Sequence, residues 1–397
     1  MRILLVDKFY EAFGGVGTYL RLAEGLLRGR GHEVFRFGCV RGAGPAGMPA
    51  FHDFEKAGDL PRLVHNAEAA DKLDALLRRQ KIDVAFLQNI YHHLTPAILP
   101  VLRRRRVGVV MRMADYRLAC PTKHFMRKDG LCQRCLPNRF YHAASPRCAG
   151  VRGVALAIEC YVQRLTRRYQ QGVDVFICPT RFMRRTMVTA GLPRDKTVLL
   201  RNLVSPIALP KGLDEDGAAV LYVGRFSDEK GNELLIDLAA AMPRLRVLLA
   251  GDGPLEEALR KQAARRCMGN VTFLGNLDHA ALGPHLARAA AVVVTSRCME
   301  NSPMSMLEAM RAGKCVVVPD QPSLREWVHD GRTGRLYRSG DAASLVEAVK
   351  DALAHPDQRR RMGEAAAELV GRRHDESATV RRLEELFEKA VRRCASQ

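Results

Sequence analysis

The first half of the chain alternates short apolar runs with helical stretches. The pattern predicts strands at 2–7, 33–38, 83–88, 107–113, 173–178 and 197–200, with a first helix from Gly17 to about Gly29. The second half repeats it, with strands at 219–223, 246–250, 271–274, 291–295 and 315–318 and helices between them. Strand–helix alternation of this kind gives parallel sheets with crossover helices, so the fold class is α/β. Prolines and glycines cluster without periodicity over Ser205–Asp216, which sets a boundary between two domains. A last amphipathic helix, roughly Ser377–Cys394, carries Val380, Leu383, Leu386, Phe387, Ala390 and Val391 on one side. Neither an internal repeat nor a low-complexity tract interrupts the alternation.

One segment concentrates chemistry. Residues 298–313 read Cys-Met-Glu-Asn-Ser-Pro-Met-Ser-Met-Leu-Glu-Ala-Met-Arg-Ala-Gly, with Glu300 and Glu308 eight positions apart. Ser302 is a good N-cap, Pro303 fits the first helical turn, and Gly313 fits the position past the helix end. The apolar runs on either side place Glu300 on a strand-to-helix loop at the carboxyl edge of a parallel sheet, where open α/β sheets bind ligands. A carboxylate near a helix start answers the helix dipole, which accounts for Glu300. Glu308 lies too far in for that explanation.

Upstream, Val220-Leu221-Tyr222-Val223-Gly224-Arg225-Phe226-Ser227-Asp228-Glu229-Lys230-Gly231 runs from a strand into a glycine, an arginine and a lysine. An arginine fork suits phosphate oxygens and a lysine adds a mobile point charge, so the stretch reads as a diphosphate clamp or as a solvated loop. Next come Ala250-Gly251-Asp252-Gly253-Pro254 and Val271-Thr272-Phe273-Leu274-Gly275.

In this order, together with Gly14-Gly15-Val16-Gly17 after the first strand, these motifs resemble family 4 of the retaining, nucleotide-sugar-dependent glycosyltransferases. The resemblance covers essentially the whole chain. It implies the GT-B fold, two Rossmann-like domains facing across a cleft: an N-terminal acceptor-side domain at 1–205, a nucleotide-sugar domain at 206–376, and a terminal helix at 377–397 crossing back to the first. It implies that Glu308 accepts from the donor ribose, while Arg225, Lys230 and the backbone at Gly224 hold the diphosphate. Glu300 lies at the donor sugar, with the amides of Asn301, Ser302 and Met304 nearby. The nucleobase lies beside the 275–278 turn, at Leu277. Gly14, Gly15 and Val16 approach the diphosphate and sugar from the N-terminal domain. The reaction implied is transfer from a UDP- or GDP-linked sugar to a saccharide hydroxyl with retention, in cell-surface polysaccharide or glycoconjugate synthesis, with no catalytic metal. The alternative is a nucleotide-sugar-binding protein on the same fold without turnover. One departure bears on this choice. Many relatives have His-Asp where this chain has Ala114-Asp115, leaving Asp115 and Arg112 as polar candidates.

At 397 residues the chain suits two ordinary domains, and no apolar run reaches membrane-spanning length. The N-terminal residues form a strand and are too short for a signal peptide, which points to the cytosol. Of 11 cysteines, Cys120, Cys132, Cys135 and Cys148 fall in one irregular insertion at 115–150, with a C-x2-C spacing at its centre. That pattern fits a structural Zn2+ with four thiolates, His124 and His142 being possible substitutes, or four thiols with a chance spacing. Net charge is +20, much of it arginine in the first half. Nucleic acid would call for a binding module, and none is found. Two partners fit: an anionic membrane face met by the stretch Val151–Tyr169, and a lipid-diphosphate-linked saccharide acceptor at the inner face of the membrane. An ordinary core-facing helix would also account for 151–169.

Overall fold

The computed structural model describes residues 1–11, 14–41, 45–51, 60–210, 212, 216–266 and 269–396. Residues 211 and 213–215 of the expected boundary lie outside them. The chain divides into two compact units. Unit 1 comprises Met1–Lys128, Gln133–Leu203 and Glu376–Gln397, and unit 2 comprises Val204–Asp375 with the short stretch Asp129–Cys132.

Of the strands up to Leu203, unit 1 holds β1 (Arg2–Phe9), β2 (Glu33–Cys39), β3 (Val84–Leu87), β4 (Gly108–Arg112), the short β5 (Met126–Arg127), β7 (Val175–Cys178) and β8 (Thr197–Leu199), while the short β6 (Gly130–Leu131) falls in the Asp129–Cys132 stretch of unit 2. Six of them form one parallel sheet in the order β2-β1-β3-β4-β7-β8. β3, β4 and β7 are buried along their whole length, the mark of strands covered on both faces. The chain leaves β1 to one side for β2 and returns on the other for β3, so the switch point lies between β1 and β3. The terminal helix Glu376–Ala395 buries Val380, Leu383, Leu386, Phe387 and Ala390 in the unit 1 core. It lies so close to β4 that a Cβ on Gly108 would stand 2.8 Å from the Ala390 carbonyl carbon.

Unit 2 contains β9 (Asp216–Val223), β10 (Arg246–Ala250), β11 (Val271–Gly275), β12 (Ala289–Val293), β13 (Cys315–Pro319) and β14 (Arg335–Tyr337). All are parallel, in the order β11-β10-β9-β12-β13-β14. Counted within the unit this is 3-2-1-4-5-6, the order of dinucleotide-binding sheets, with its switch point between β9 and β12. Two apolar cores fill the two faces. The sixth strand, β14, is an unexpected one: Arg335-Leu336-Tyr337 lies between Gly334 and Arg338 without an apolar run.

The cysteine insertion departs from the zinc expectation. Among the described residues no group of three or more His, Cys, Asp or Glu is placed to hold a metal. Cys120, Cys132, Cys135 and Cys148 therefore do not form a tetrahedral shell. Cys135 instead packs with Phe140, Ala157 and Cys160 in a small apolar cluster, and Cys120 Sγ lies 3.3 Å from Thr122 Oγ1. Buried rings order this segment: Tyr116 meets Phe125 at 4.9 Å between centroids, and Phe140 meets Tyr161 at 5.2 Å.

Candidate functional site

At the unit 2 switch point, the loop after β9 meets the loop after β12. Gly231 permits this approach. Its φ is +59°, and a Cβ there would stand 2.6 Å from the Thr295 carbonyl oxygen. Thr295 Oγ1 donates to the Lys230 carbonyl at 2.8 Å, and the amides of Arg297 and Cys298 donate to the Glu229 carbonyl. Lys230 Nζ is thereby brought 2.5 Å from Glu300 Oε1, which also accepts from Ser296 Oγ at 2.5 Å. Burial acts to lower the Lys230 pKa, but the Glu300 carboxylate more than offsets it and holds the ammonium well above its usual range. Burial likewise pushes the neighbouring Cys298 thiol up to about 12, so it stays protonated.

Gln321, fully buried after β13, pins the Glu300 loop. Its Nε2 donates to the carbonyls of Ser296 and Cys298, and its Oε1 accepts from the Glu300 amide at 2.8 Å. Ser323 Oγ donates to the Glu300 carbonyl at 2.5 Å. Glu300 thus has a fixed backbone on both sides of its peptide. The helix beyond runs Met304–Arg311, with Pro303 as N-cap and no side-chain capping bond, so Ser302 does not cap it. Asn301 and Ser302 are buried, while Met304 is half-buried at the helix start.

Glu308 is buried in mid-helix, 5 % exposed, and its Oε1 has no hydrogen-bond partner among the described residues. His279 Nε2 lies 3.3 Å from it, within charge-pairing distance but without hydrogen-bond geometry. A buried carboxylate oxygen left open in this way is costly unless something donates to it. Arg225 stands exposed in the same β9 loop, with its carbonyl accepting from Tyr222 OH at 3.0 Å. Gly251 seats the adjoining loop against it: at φ +140°, a Cβ would stand 2.0 Å from the half-buried Gly224's carbonyl oxygen. Leu277 is half-buried and packs on one of the unit 2 cores.

Unit 1 presents a different edge. Val6 pairs with Leu87, and Leu87 with Met111. One step further out, Asp7, Gln88 and Arg112 therefore form a row across β1, β3 and β4. Gln88 Oε1 accepts from Arg112 Nη1 at 2.8 Å, and Asn202 Oδ1 accepts from Arg112 Nη2 at 2.6 Å. The guanidinium sits over the Tyr19 ring, 3.9 Å from its centroid. Arg112 is thus committed inward, and only Asp115 remains a candidate of the two. Asp115 is half-buried and accepts from the Arg117 amide at 2.9 Å. Asp7 Oδ1 and Gln88 Nε2 are both buried without a hydrogen-bond partner among the described residues. A hydroxyl could donate to the carboxylate or accept from the amide. Burial raises the Asp7 pKa to about 6, against the opposing pull of Lys8 and Arg112.

The first helix begins at Gly14, three residues before the expected start, so Gly14, Gly15 and Val16 form its first turn. Gly14 and Gly15 are exposed, with open space at their Cβ positions. Free amides of a first helical turn favour an anion.

Residues 14–202 match the family described as Glycosyl transferase 4-like domain, and residues 208–369 match Glycosyl transferases group 1. Each unit is therefore similar to a glycosyltransferase domain. Alpha-D-kanosaminyltransferase of Streptomyces kanamyceticus is 34 % identical over 172 residues, covering 42 % of this chain and 44 % of that protein. Phosphatidyl-myo-inositol mannosyltransferase of Mycobacterium leprae is 31 % identical over 177 residues, covering 43 % and 46 %. The chain thus spans less than half the length of these curated relatives. Among solved structures, Anabaena HepE in complex with UDP and glucose superposes with a TM-score of 0.68 at 18 % identity, covering 98 % of this chain and 99 % of that one. Sucrose-phosphate synthase from Thermosynechococcus elongatus superposes at 0.73 and 18 %, with the same coverage. At such identity these structures establish the fold, which is GT-B.

Asp7, Gln88, His279, Gln321 and Ser323 are candidate site residues that the motifs missed. Gln321 and Ser323 carried a signal, being polar residues directly after a buried strand at a carboxyl edge. Asp7 and Gln88 carried the same one, at the ends of β1 and β3.

Proposed function

We propose that the protein is a retaining glycosyltransferase that moves a sugar from a nucleotide-diphosphate donor to a saccharide hydroxyl. The observation that carries this reading is the buried Glu308 Oε1 without a hydrogen-bond partner among the described residues, eight residues beyond the Glu300 that pairs with Lys230, in a 3-2-1-4-5-6 sheet. Glu308 accepts from the ribose hydroxyls. Lys230 has three N–H donors, so it can keep Glu300 and still reach a phosphate oxygen. With Arg225 it stabilises the charge that grows on the leaving diphosphate. Glu300 and the Asn301, Ser302 and Met304 amides orient the donor sugar, and Leu277 lines the base. On the acceptor side, Gly14, Gly15 and Val16 offer helix amides, and Asp115 offers a carboxylate.

The acceptor oxygen attacks the anomeric carbon on the face from which the diphosphate leaves. The C–O bond to the diphosphate breaks, the new C–O bond forms, and the departing phosphate oxygen takes the acceptor proton. That HepE was solved with UDP and glucose supports a UDP-linked donor, with GDP the other candidate. A saccharide on a lipid diphosphate is the acceptor class that suits a chain of net charge +20. Thermal-shift screening against UDP- and GDP-sugars, followed by a hydrolysis assay on each hit, tests the reading. Stabilisation with turnover supports it. Stabilisation without turnover would support a nucleotide-sugar-binding protein, in keeping with Ala114, and no response to any nucleotide would defeat both.

A further inference from the structure

The helix Gly150–Thr166 of unit 1 is built inside out. Its buried positions include Glu159, Cys160 and Gln163, while Val151, Val154, Ile158 and Leu165 are exposed. Val151 is 91 % and Leu165 80 % exposed, and these four with Tyr141 are the exposed large apolar side chains among the described residues. At 3.6 residues per turn the four fall on one face, which runs for about 20 Å. The inward turn of the polar residues has a local cause. Glu159 is the partner of buried Arg117 and accepts from His92 Nε2 at 2.9 Å, so the helix is fixed in this rotation by an ion pair.

We infer that this face is the surface by which the protein sits on an anionic lipid bilayer. Exposed apolar residues in a row mark an interaction surface, and the charge around them selects the partner. Between residues 130 and 173 the chain holds seven arginines and a single acid, Glu159, which is buried. Arg139, Arg152 and Arg167 are exposed, so the stretch carries exposed positive charge and no exposed acid of its own. A second copy docking through a two-fold axis would set these arginines against their own kind. Anionic headgroups satisfy the arginines while the acyl boundary takes up Val151, Val154, Ile158 and Leu165. No described helix is long and apolar enough to cross a membrane, so attachment is from one side. The inference stands on the exposed face and not on the transfer reaction.

The full chain should be sedimented with vesicles of phosphatidylcholine alone and with about one-third phosphatidylglycerol, each at 0.1 M and about 1 M salt, where screening shortens to ~3 Å. Binding to anionic vesicles should exceed binding to neutral ones by about tenfold or more and be largely released by high salt. V151E/L165E alters only solvent-facing positions, so its melting temperature should match the parent while vesicle binding falls at least about tenfold. R152Q/R167N, in which Asn tolerates the left-handed backbone at position 167, should lose the preference for anionic lipid. The inference fails if the parent binds neither vesicle or if V151E/L165E binds like the parent. It fails equally if the parent self-associates and V151E/L165E is monomeric, which would assign the face to a second copy. Donor turnover is measured separately: its absence would count against the transferase reading and leave the vesicle result standing.

Discussion

At the switch point of unit 2 opposite charges touch directly, Lys230 on Glu300, with Arg225 left exposed beside them. At that of unit 1 the charges of Asp7 and Arg112 are set on different strands with the Gln88 amide between them. The first edge keeps an exposed arginine and a paired lysine on the loop after β9, the kind of charge that a nucleoside diphosphate would need. The second withdraws its guanidinium under Tyr19 and leaves a weakly acidic carboxyl beside an amide, which suits uncharged hydroxyls. The same sheet architecture thus carries paired and exposed charge at one switch point and a buried amide and carboxyl at the other.

The sharpest way to break this comparison is at Arg225. Arg225→Ala should lower turnover by about 10²-fold or more while changing donor affinity far less, because its charge partner appears in the transition state. Equal activity in parent and variant, measured as kcat and KM separately, would remove the clamp from the account.

The unit 1 edge is tested through pH. Asp7 has a folded pKa of about 6 against an ordinary 3.8, so the folded state binds its proton more tightly than the unfolded one. Its contribution to stability is therefore fully present below about pH 4 and is lost as pH rises through about 6. Asp7→Asn should stabilise the protein at pH 8 by up to about 3 kcal/mol and give no gain near pH 4. Melting curves at both values decide it, and a gain of equal size at both would show that burial of the charge is not the cause.

A matched pair of glycines probes the two loops. Gly231→Ala meets the Thr295 carbonyl at 2.6 Å and a left-handed backbone, whereas Gly14→Ala meets a left-handed backbone in open space. The first should cost about 2–3 kcal/mol and weaken donor binding, and the second about 1 kcal/mol. Equal losses in denaturant titrations would mean that loop packing at the unit 2 edge is not tighter.

Much of this was legible in the chain because long apolar runs between glycine turns admit little but strands. All eleven expected strands occur, with shifts such as β12 at Ala289–Val293 in place of 291–295. β14 escaped because Arg335-Leu336-Tyr337, flanked by Gly334 and Arg338, offers no apolar run such as Val198-Leu199-Leu200 gave for β8. Glu300, Glu308, Arg225 and Lys230 were visible as motifs, and their mutual geometry needed the fold. Among the described residues no metal-holding group supports the zinc expectation, and Tyr116, Phe125 and Phe140, almost wholly buried, give the insertion a core that spacing alone did not suggest. The 151–169 stretch looked equally like a core helix, since sequence shows an apolar stripe without showing which way it faces.

The central claim is that the open carboxylate of Glu308 receives the donor nucleotide. Calorimetric titration of UDP and GDP into the parent and into Glu308→Ala tests it most directly. The account predicts binding of one nucleotide to the parent, weakened by about 1.5–3 kcal/mol in the variant, at unchanged melting temperature or a slightly raised one. Unaltered affinity in Glu308→Ala would contradict it.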